Sequence, residues 1–345
     1  MVDAENSAQR KYLFGMTLEQ LQEVVLSLGM PRFSAGQICR WLYVKHADSI
    51  DEMTDLSKAN REKLASEYSI GRFEASASTK SMDGTIKYLF TLSDGKSVES
   101  VYIPDADRAT LCISTQKGCK MGCHFCMTGK QGFHGNLSAR EILNQIYSIP
   151  EFETLTNVVF MGMGEPLDNI EAVLQVIKVL TSKWGLAWSP KRITVSSIGK
   201  IPELKRLVEE TSVHVAISVH SPFHEERLDL MPVEKAYPVK KVMEMLSNYD
   251  FRHQRRLSAE YTMWDGVNDD SVHAEALAKL LKPTGARVNL IRYHSIPGVK
   301  LKTSSNETMV KFRDQLNSHG IICTIRQSRG EDIAAACGML AGKTK

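Results

Sequence analysis

From residue 109 onward, short apolar runs of strand length alternate with helical stretches, and this alternation constrains the fold more than any other feature. The runs cover residues 109–115, 157–161, 193–197, 213–219, 258–263 and 288–293, and helical patterns separate them at 138–147, 169–182, 202–210, 238–248 and 271–281. Strand and helix in strict alternation imply a parallel sheet with right-handed crossovers. Six units are too few for a closed eight-stranded barrel, so the pattern predicts an α/β fold, an open partial barrel of about six parallel strands. A helix near 306–318, a strand at 321–326 and a last helical segment extend it.

The residues before 109 read differently. Thr17-Leu18-Glu19-Gln20 and Ser34-Ala35-Gly36-Gln37 fit the capping-box pattern ahead of apolar residues at helical spacing, and Ser138-Ala139-Arg140-Glu141 repeats it further on. Residues 85–92 and 97–103 are β-rich around the turn signal Ser93-Asp94-Gly95-Lys96. The expectation is a mainly helical N-terminal accessory domain over 1–90, a β-hairpin linker to about 108, and a main domain over 109–345.

In a parallel α/β sheet, chemistry collects at the carboxyl ends of the strands. Five unusual stretches fall there: the cysteine loop after the first run, Gly162-Met163-Gly164-Glu165-Pro166 after the second, Ser196-Ser197, Ser218-Val219-His220, and Tyr293-His294. Cys119, Cys123 and Cys126 have the spacing C-x3-C-x2-C. Seven cysteines, three of them within eight residues, make a poor disulfide framework and a good metal or cluster site. Thiolates suit zinc or iron–sulfur clusters; a structural zinc site usually pairs two C-x2-C knuckles, and a second knuckle is missing from the sequence. Three cysteines on a four-iron cluster leave one iron open to a ligand. A zinc-containing, non-catalytic RNA-binding protein is the alternative from another class.

Net charge is only +3, which argues for no particular partner. Basic groups occur at Lys117, Lys120 and Lys130, at Lys191-Arg192, at Arg252 to Arg256, and at Arg326 with Arg329; such groups are ordinarily solvated surface. The polar, acidic start Met1 to Asn6 does not read as a secretory signal, and no apolar run approaches the roughly 18 residues of a membrane span. A cytoplasmic protein is expected.

The triplet, with Phe125 before its last cysteine, resembles the hallmark of the radical S-adenosylmethionine (SAM) superfamily, and Gly162 to Pro166 is similar to that superfamily's glycine-glutamate turn. Together with the stretches at 108–114, 129–133 and 335–338, over essentially the whole chain, the sequence resembles the RlmN/Cfr family of RNA adenine methyltransferases. The resemblance implies one [4Fe-4S] cluster per chain on Cys119, Cys123 and Cys126, with SAM bound at its open iron and cleaved by one electron to a 5′-deoxyadenosyl radical. It implies SAM contacts from Gly164, Glu165, Ser196, Ser218, Val219 and His220, and from His294, which stands where the family commonly has asparagine. Two SAM are consumed per product: one methylates Cys337, and the other supplies the radical that activates that methyl group for addition to adenine. Glu99 is then the implied acceptor of the carbon 2 proton, and Cys112 attacks Cys337 in a transient disulfide that releases the product. The implied substrates are 23S rRNA and tRNA, the latter at the adenosine 3′ of the anticodon, with flavodoxin or ferredoxin as electron donor. In the sister enzymes that methylate carbon 8, alanine typically follows the glutamate of the turn; Pro166 favours carbon 2. Carbon 2 is electron-poor and lacks a lone pair, so it cannot attack the methyl of SAM directly, and radical addition avoids that obstacle. Cys39 and Cys323 match no family position and read as core.

Overall fold

The computed structural model describes residues 11–251 and 253–342, so Met1 to Asn6 and Arg252 lie outside the described residues. The chain divides into two compact units, the first comprising the described residues up to Glu74 with 137–152 and 171–189, and the second 75–136, 153–170 and the remainder from Pro190.

The first unit begins with β1 (Lys11–Tyr12), α1 (Leu18–Ser27), α2 (Ser34–Tyr43), α3 (Lys58–Glu67) and β2 (Tyr68–Ser69), with β1 and β2 parallel. The capping box of α1 forms as expected: Thr17 Oγ1 accepts from Gln20 N–H at 3.3 Å, and Gln20 Oε1 accepts from Thr17 N–H at 2.8 Å. Helix α2 corrects the second expected box. Phe33 stands at its cap without a side-chain bond, and Ser34 is already helical, because Ser34 N–H and Gly36 N–H close turns onto Pro31 O and Phe33 O, each at 3.0 Å. Phe14 and Tyr147 meet edge to face at 5.2 Å in the aromatic core of this unit.

The second unit is built on ten strands: β3 (Ala77–Lys80), β4 (Ile86–Thr91), β5 (Ser97–Asp105), β6 (Arg108–Cys112), β9 (Asn157–Phe160), β10 (Ile193–Ser197), β11 (His214–Ser218), β12 (Leu257–Met263), β13 (Arg287–Arg292) and β14 (Cys323–Ile325). A small antiparallel ribbon of β7 (Gln116–Gly118) and β8 (Phe133–Asn136) follows β6. The sheet order is β14-β13-β12-β11-β10-β9-β6-β5-β4-β3, parallel from β14 to β6 and antiparallel from β6 to β3. Its two outer strands are different elements that do not pair with each other, so the barrel is open. Six parallel strands fall where periodicity predicts them, and β14 adds a seventh. The helices that follow in the chain are α4 (Met127–Lys130), α5 (Ala139–Tyr147), α6 (Ile170–Thr181), α7 (Ile201–Glu210), α8 (His224–Leu230), α9 (Val239–Leu246), α10 (Ser271–Leu281) and α11 (Asn306–Ser318), of which α5 and nearly all of α6 belong to the first unit.

The parallel strands carry the core. Ile193, Val195, Ile217, Ala259, Val288 and Leu290 are fully buried, and a large aliphatic side chain buried this way contributes about 1.5–3 kcal/mol. The hairpin turn lies where expected, with Gly95 at φ +75°. The last helical segment does not form. Turns replace it, because Gly330, Ala334, Gly338 and Gly342 all take positive φ, and repeated left-handed residues cannot propagate a right-handed helix. Among the described residues no helix is long and apolar enough to cross a membrane.

Candidate active site

The carboxyl ends of the parallel strands open into one cavity, lined among others by Cys119, Cys123, Cys126, Gly164, Glu165, Ser196, Ser218, His220 and Cys337. Residues more than two hundred positions apart therefore share one space, as the position of the strand ends predicts.

Backbone bonds on several sides fix the cysteine loop. Cys119 N–H donates to Gly132 O at 2.9 Å, His124 N–H to Leu230 O at 3.0 Å, and Met127 N–H to Gly338 O at 2.8 Å. Phe125 lies between His220 and Trp264, with ring centroids 4.9 and 5.0 Å away, and lines the cavity. Burial pushes the Cys119 thiol up to about 12 and raises Cys123 further. Protein surroundings alone thus favour neutral thiols, and bound iron would supply the positive charge that makes them thiolates. Among the described residues no group of three His, Cys, Asp or Glu side chains could hold a single metal ion. Three soft thiols spread along one loop at the cavity wall fit a polynuclear iron–sulfur cluster.

The glycine-glutamate turn is bolted to the segment after β6. Met163 N–H donates to Ser114 Oγ at 2.8 Å, Gly162 N–H to Ile113 O at 3.0 Å, and Thr115 N–H returns a bond to Met163 O at 2.8 Å. Gly164 has φ +103°, and a Cβ there would stand 2.5 Å from Gln116 Cβ, so only glycine is accommodated. Glu165 is buried and accepts from Leu167 N–H at 3.0 Å and Ile198 N–H at 3.1 Å. Burial nevertheless pushes it up to about 7. A carboxylate so placed gains from a cationic partner such as the amino group of SAM.

One buried arginine, which the sequence did not single out, holds the neighbouring strand ends. The Arg227 guanidinium donates to Ser218 O at 2.9 Å, Val219 O at 3.0 Å and Ile198 O at 3.2 Å, and it is paired with buried Glu234. It thereby sets the spacing of the Ser196 and Ser218 loops. Val219 itself is fully buried; its carbonyl accepts from Arg227 and its N–H donates to Glu260 O at 3.0 Å. His220 Nδ1 accepts from Thr262 N–H at 3.0 Å, which leaves the proton on Nε2; burial, then Arg227, holds its pKa down to about 3, so the ring is neutral. His294 is buried beside Ser328 (3.2 Å) and Glu331 (3.4 Å), and its neighbour Tyr293 forms the cavity wall.

Cys337 is open to the cavity. The tail that carries it is tied to the cysteine loop by Met127 N–H to Gly338 O, and by Thr128 Oγ1 to Leu340 O at 2.8 Å. Cys112 is buried at the end of β6 and forms no disulfide. Burial pushes it up to about 12, and the next contribution comes from Cys337, so the two thiols lie within electrostatic reach. Arg326, also unexpected as a site residue, is placed by Glu260 at 3.6 Å and donates to Met161 Sδ at 3.7 Å. Confinement raises the Cys337 thiol, and the Arg326 charge pulls it back. Nothing in the spacing marks Arg227 or Arg326 as site residues, but a glutamate within the apolar run 258–263 was a visible signal for Glu260. Glu99 lies inside the sheet rather than on the cavity wall: its carboxylate meets Lys87 at 3.0 Å and accepts from Ala341 and Gly342 N–H at 2.7 and 2.8 Å.

Comparison with known proteins fits this arrangement. Residues 113–278 match the model of the radical SAM superfamily, and residues 11–70 match the ribosomal RNA large subunit methyltransferase N-terminal domain. A curated relative from Bacteroides fragilis (strain YCH46), "Probable dual-specificity RNA methyltransferase RlmN", is 57% identical over 95% of this chain and 96% of its own. "Dual-specificity RNA methyltransferase RlmN" of Syntrophus aciditrophicus (strain SB) is 42% identical over 95% of each. A crystal structure of a radical SAM methyltransferase from Sphaerobacter thermophilus superposes with TM-score 0.90 at 38% identity, over 96% of this chain and 99% of that one. On fold, cavity and whole-length similarity together, the chain belongs to the RlmN family of the radical SAM superfamily, whose members use a [4Fe-4S] cluster and SAM.

Proposed function

We propose that this enzyme methylates carbon 2 of adenosine in 23S rRNA and in tRNA 3′ of the anticodon, with Cys337 as the carrier of the methyl group. The observation that carries this reading is the convergence of two free thiols from distant parts of the chain, Cys337 at the cavity and Cys112 within electrostatic reach of it. Cys119, Cys123 and Cys126 would hold the cluster, while Gly164, Glu165, Ser196, Ser218, Val219 and His220 would shape the SAM site; we include His294 through its position next to Tyr293. The cluster, when bound, supplies the electron that cleaves SAM, and we assign its reduction to a low-potential donor such as flavodoxin or ferredoxin.

The chain's own groups then divide the work. Cys337 offers its sulfur to the methyl group and, on the docked tail, holds it over the adenine. Arg326 supports the thiolate form of the sulfur at the start of the cycle. Glu99 accepts the carbon 2 proton once the tail amides of Ala341 and Gly342 release its carboxylate. Cys112 finally attacks the Cys337 sulfur, and the product leaves as the disulfide forms. All seven cysteines are free, which suits a reducing compartment, and we place the enzyme in the cytoplasm.

The test is the division of roles between the two thiols. Cys337→Ala abolishes methylation without an adduct, whereas Cys112→Ala accumulates a covalent RNA–protein species visible on a denaturing gel. Clean product release by Cys112→Ala would contradict the mechanism.

A further inference from the structure

The opposite rim of the sheet, at the amino ends of the strands, concentrates positive charge that the proposed reaction does not use. Arg108 opens β6, Lys191 shortly precedes β10, His214 opens β11, Arg256 immediately precedes β12 and Arg287 opens β13. Strand register sets His214 beside Arg256, since Val215 pairs with Leu257, and places Arg287 on the next strand opposite Ser258, two residues along from Arg256. Lys191, His214, Arg256 and Arg287 line one cavity of about 460 Å³.

His214 reports the local field. Its Nδ1 accepts the N–H of Arg256 at 2.9 Å, so Nε2 carries the proton and the ring is a neutral donor. Burial first, then Arg256, Lys191, Arg108 and Arg287, push its pKa down to about 4. Two carboxylates lie near this rim: Asp250 is 3.8 Å from exposed His253 and its charge acts on Arg255, while Asp105 bonds Arg329 at 3.0 Å and its charge acts on Arg108, so neither is paired in an ion pair with Arg256 or Arg287. The Arg255 guanidinium is engaged by Thr211 O at 3.1 Å and Val208 O at 2.5 Å. Cations gathered in a half-enclosed space repel one another, and an anion seated among them relieves that cost. Guanidinium groups beside an N–H donor match the geometry of phosphate oxygens.

We infer that this rim is a phosphate-binding site, built from Arg256, Arg287, Lys191 and the Nε2–H of His214, that takes a pyrophosphate group or the phosphodiesters of an RNA backbone. The site lies away from the thiol cavity, so phosphate binding there is independent of the methylation chemistry. Only the RNA source rests on the function proposed above.

The holoenzyme is titrated with inorganic pyrophosphate by calorimetry, and the His214 ring is followed by NMR, assigned with His214→Gln. Pyrophosphate is expected to raise the His214 pKa by at least about one unit. Arg256→Gln/Arg287→Gln is expected to bind pyrophosphate at least about tenfold more weakly while keeping its cluster absorbance and thermal midpoint. Lys191→Gln, which removes one charge, gives a smaller loss in the same direction if the double variant does not fold. A second arm measures 23S rRNA fragment binding against salt. A slope of log affinity on log salt reduced by about one or two in the double variant assigns the site to the RNA backbone. An unchanged slope with pyrophosphate binding lost assigns it to a free phosphate compound. Pyrophosphate that leaves the His214 titration unmoved and binds wild type and variants alike overturns the inference.

Discussion

The Glu99 carboxylate meets the Lys87 ammonium at 3.0 Å within the sheet, diagonally across the β4–β5 pair, with both side chains buried. Removing the cation strands a charge where water cannot solvate it. Lys87→Met is therefore expected to lower stability by about 3 kcal/mol, and Glu99→Gln in the Lys87→Met background to recover part of it. Urea unfolding of the three proteins measures this; equal midpoints for wild type and Lys87→Met would contradict the pairing.

Arg326 should act on the thiols through its charge. Its guanidinium lowers the Cys337 pKa against the larger effect of burial. In Arg326→Gln the pH profile of Cys337 alkylation is expected to move to higher pH. Peptide-resolved mass spectrometry after timed iodoacetamide exposure reads the rate. An unshifted profile would mean that Arg326 only fills space.

His220 gives a pH dependence of stability with a definite sign. Its folded pKa of about 3 lies below the ordinary histidine value of 6.5. Above pH 6.5 the ring is neutral in both states and its contribution is whole; as pH falls from 6.5 toward 3, only the unfolded chain takes up the proton. Stability is lost over that window at up to about 1.4 kcal/mol per pH unit. His214, held at about 4, adds to the slope. His220→Asn keeps an acceptor for Thr262 N–H and should flatten the curve between about pH 6.5 and 4. Denaturant midpoints across that range decide it, and identical slopes would refute the assignment.

How much of this was legible in the sequence depended on the range of the interaction. Strand β10 and helices α10 and α11 fall on the boundaries expected of them, because periodicity and capping are local. The meeting of Cys119 with Glu165 and Ser218 followed from one topological rule about strand ends. Ser34 as a cap failed because the preceding Pro31 turn, not the serine, starts the helix. The last segment failed as a helix because its glycines and Ala334 are left-handed, and the alanine pattern conceals that. Arg227 escaped notice, and Arg326 read only as surface charge, because their roles depend on carbonyls and thiols far away in sequence. The sequence pointed to Glu99 only through family resemblance, and its clasp on the tail at Ala341 and Gly342 has no local signature.

The most direct test of the central claim is nucleoside mass spectrometry after turnover. Anaerobically reconstituted enzyme is given protein-free 23S rRNA, SAM and a reductant, and the digested RNA is analysed. The account predicts 2-methyladenosine, absent with Cys337→Ala. Appearance of 8-methyladenosine would contradict the carbon assignment, and no methylated adenosine from protein that still cleaves SAM would contradict the proposed substrate.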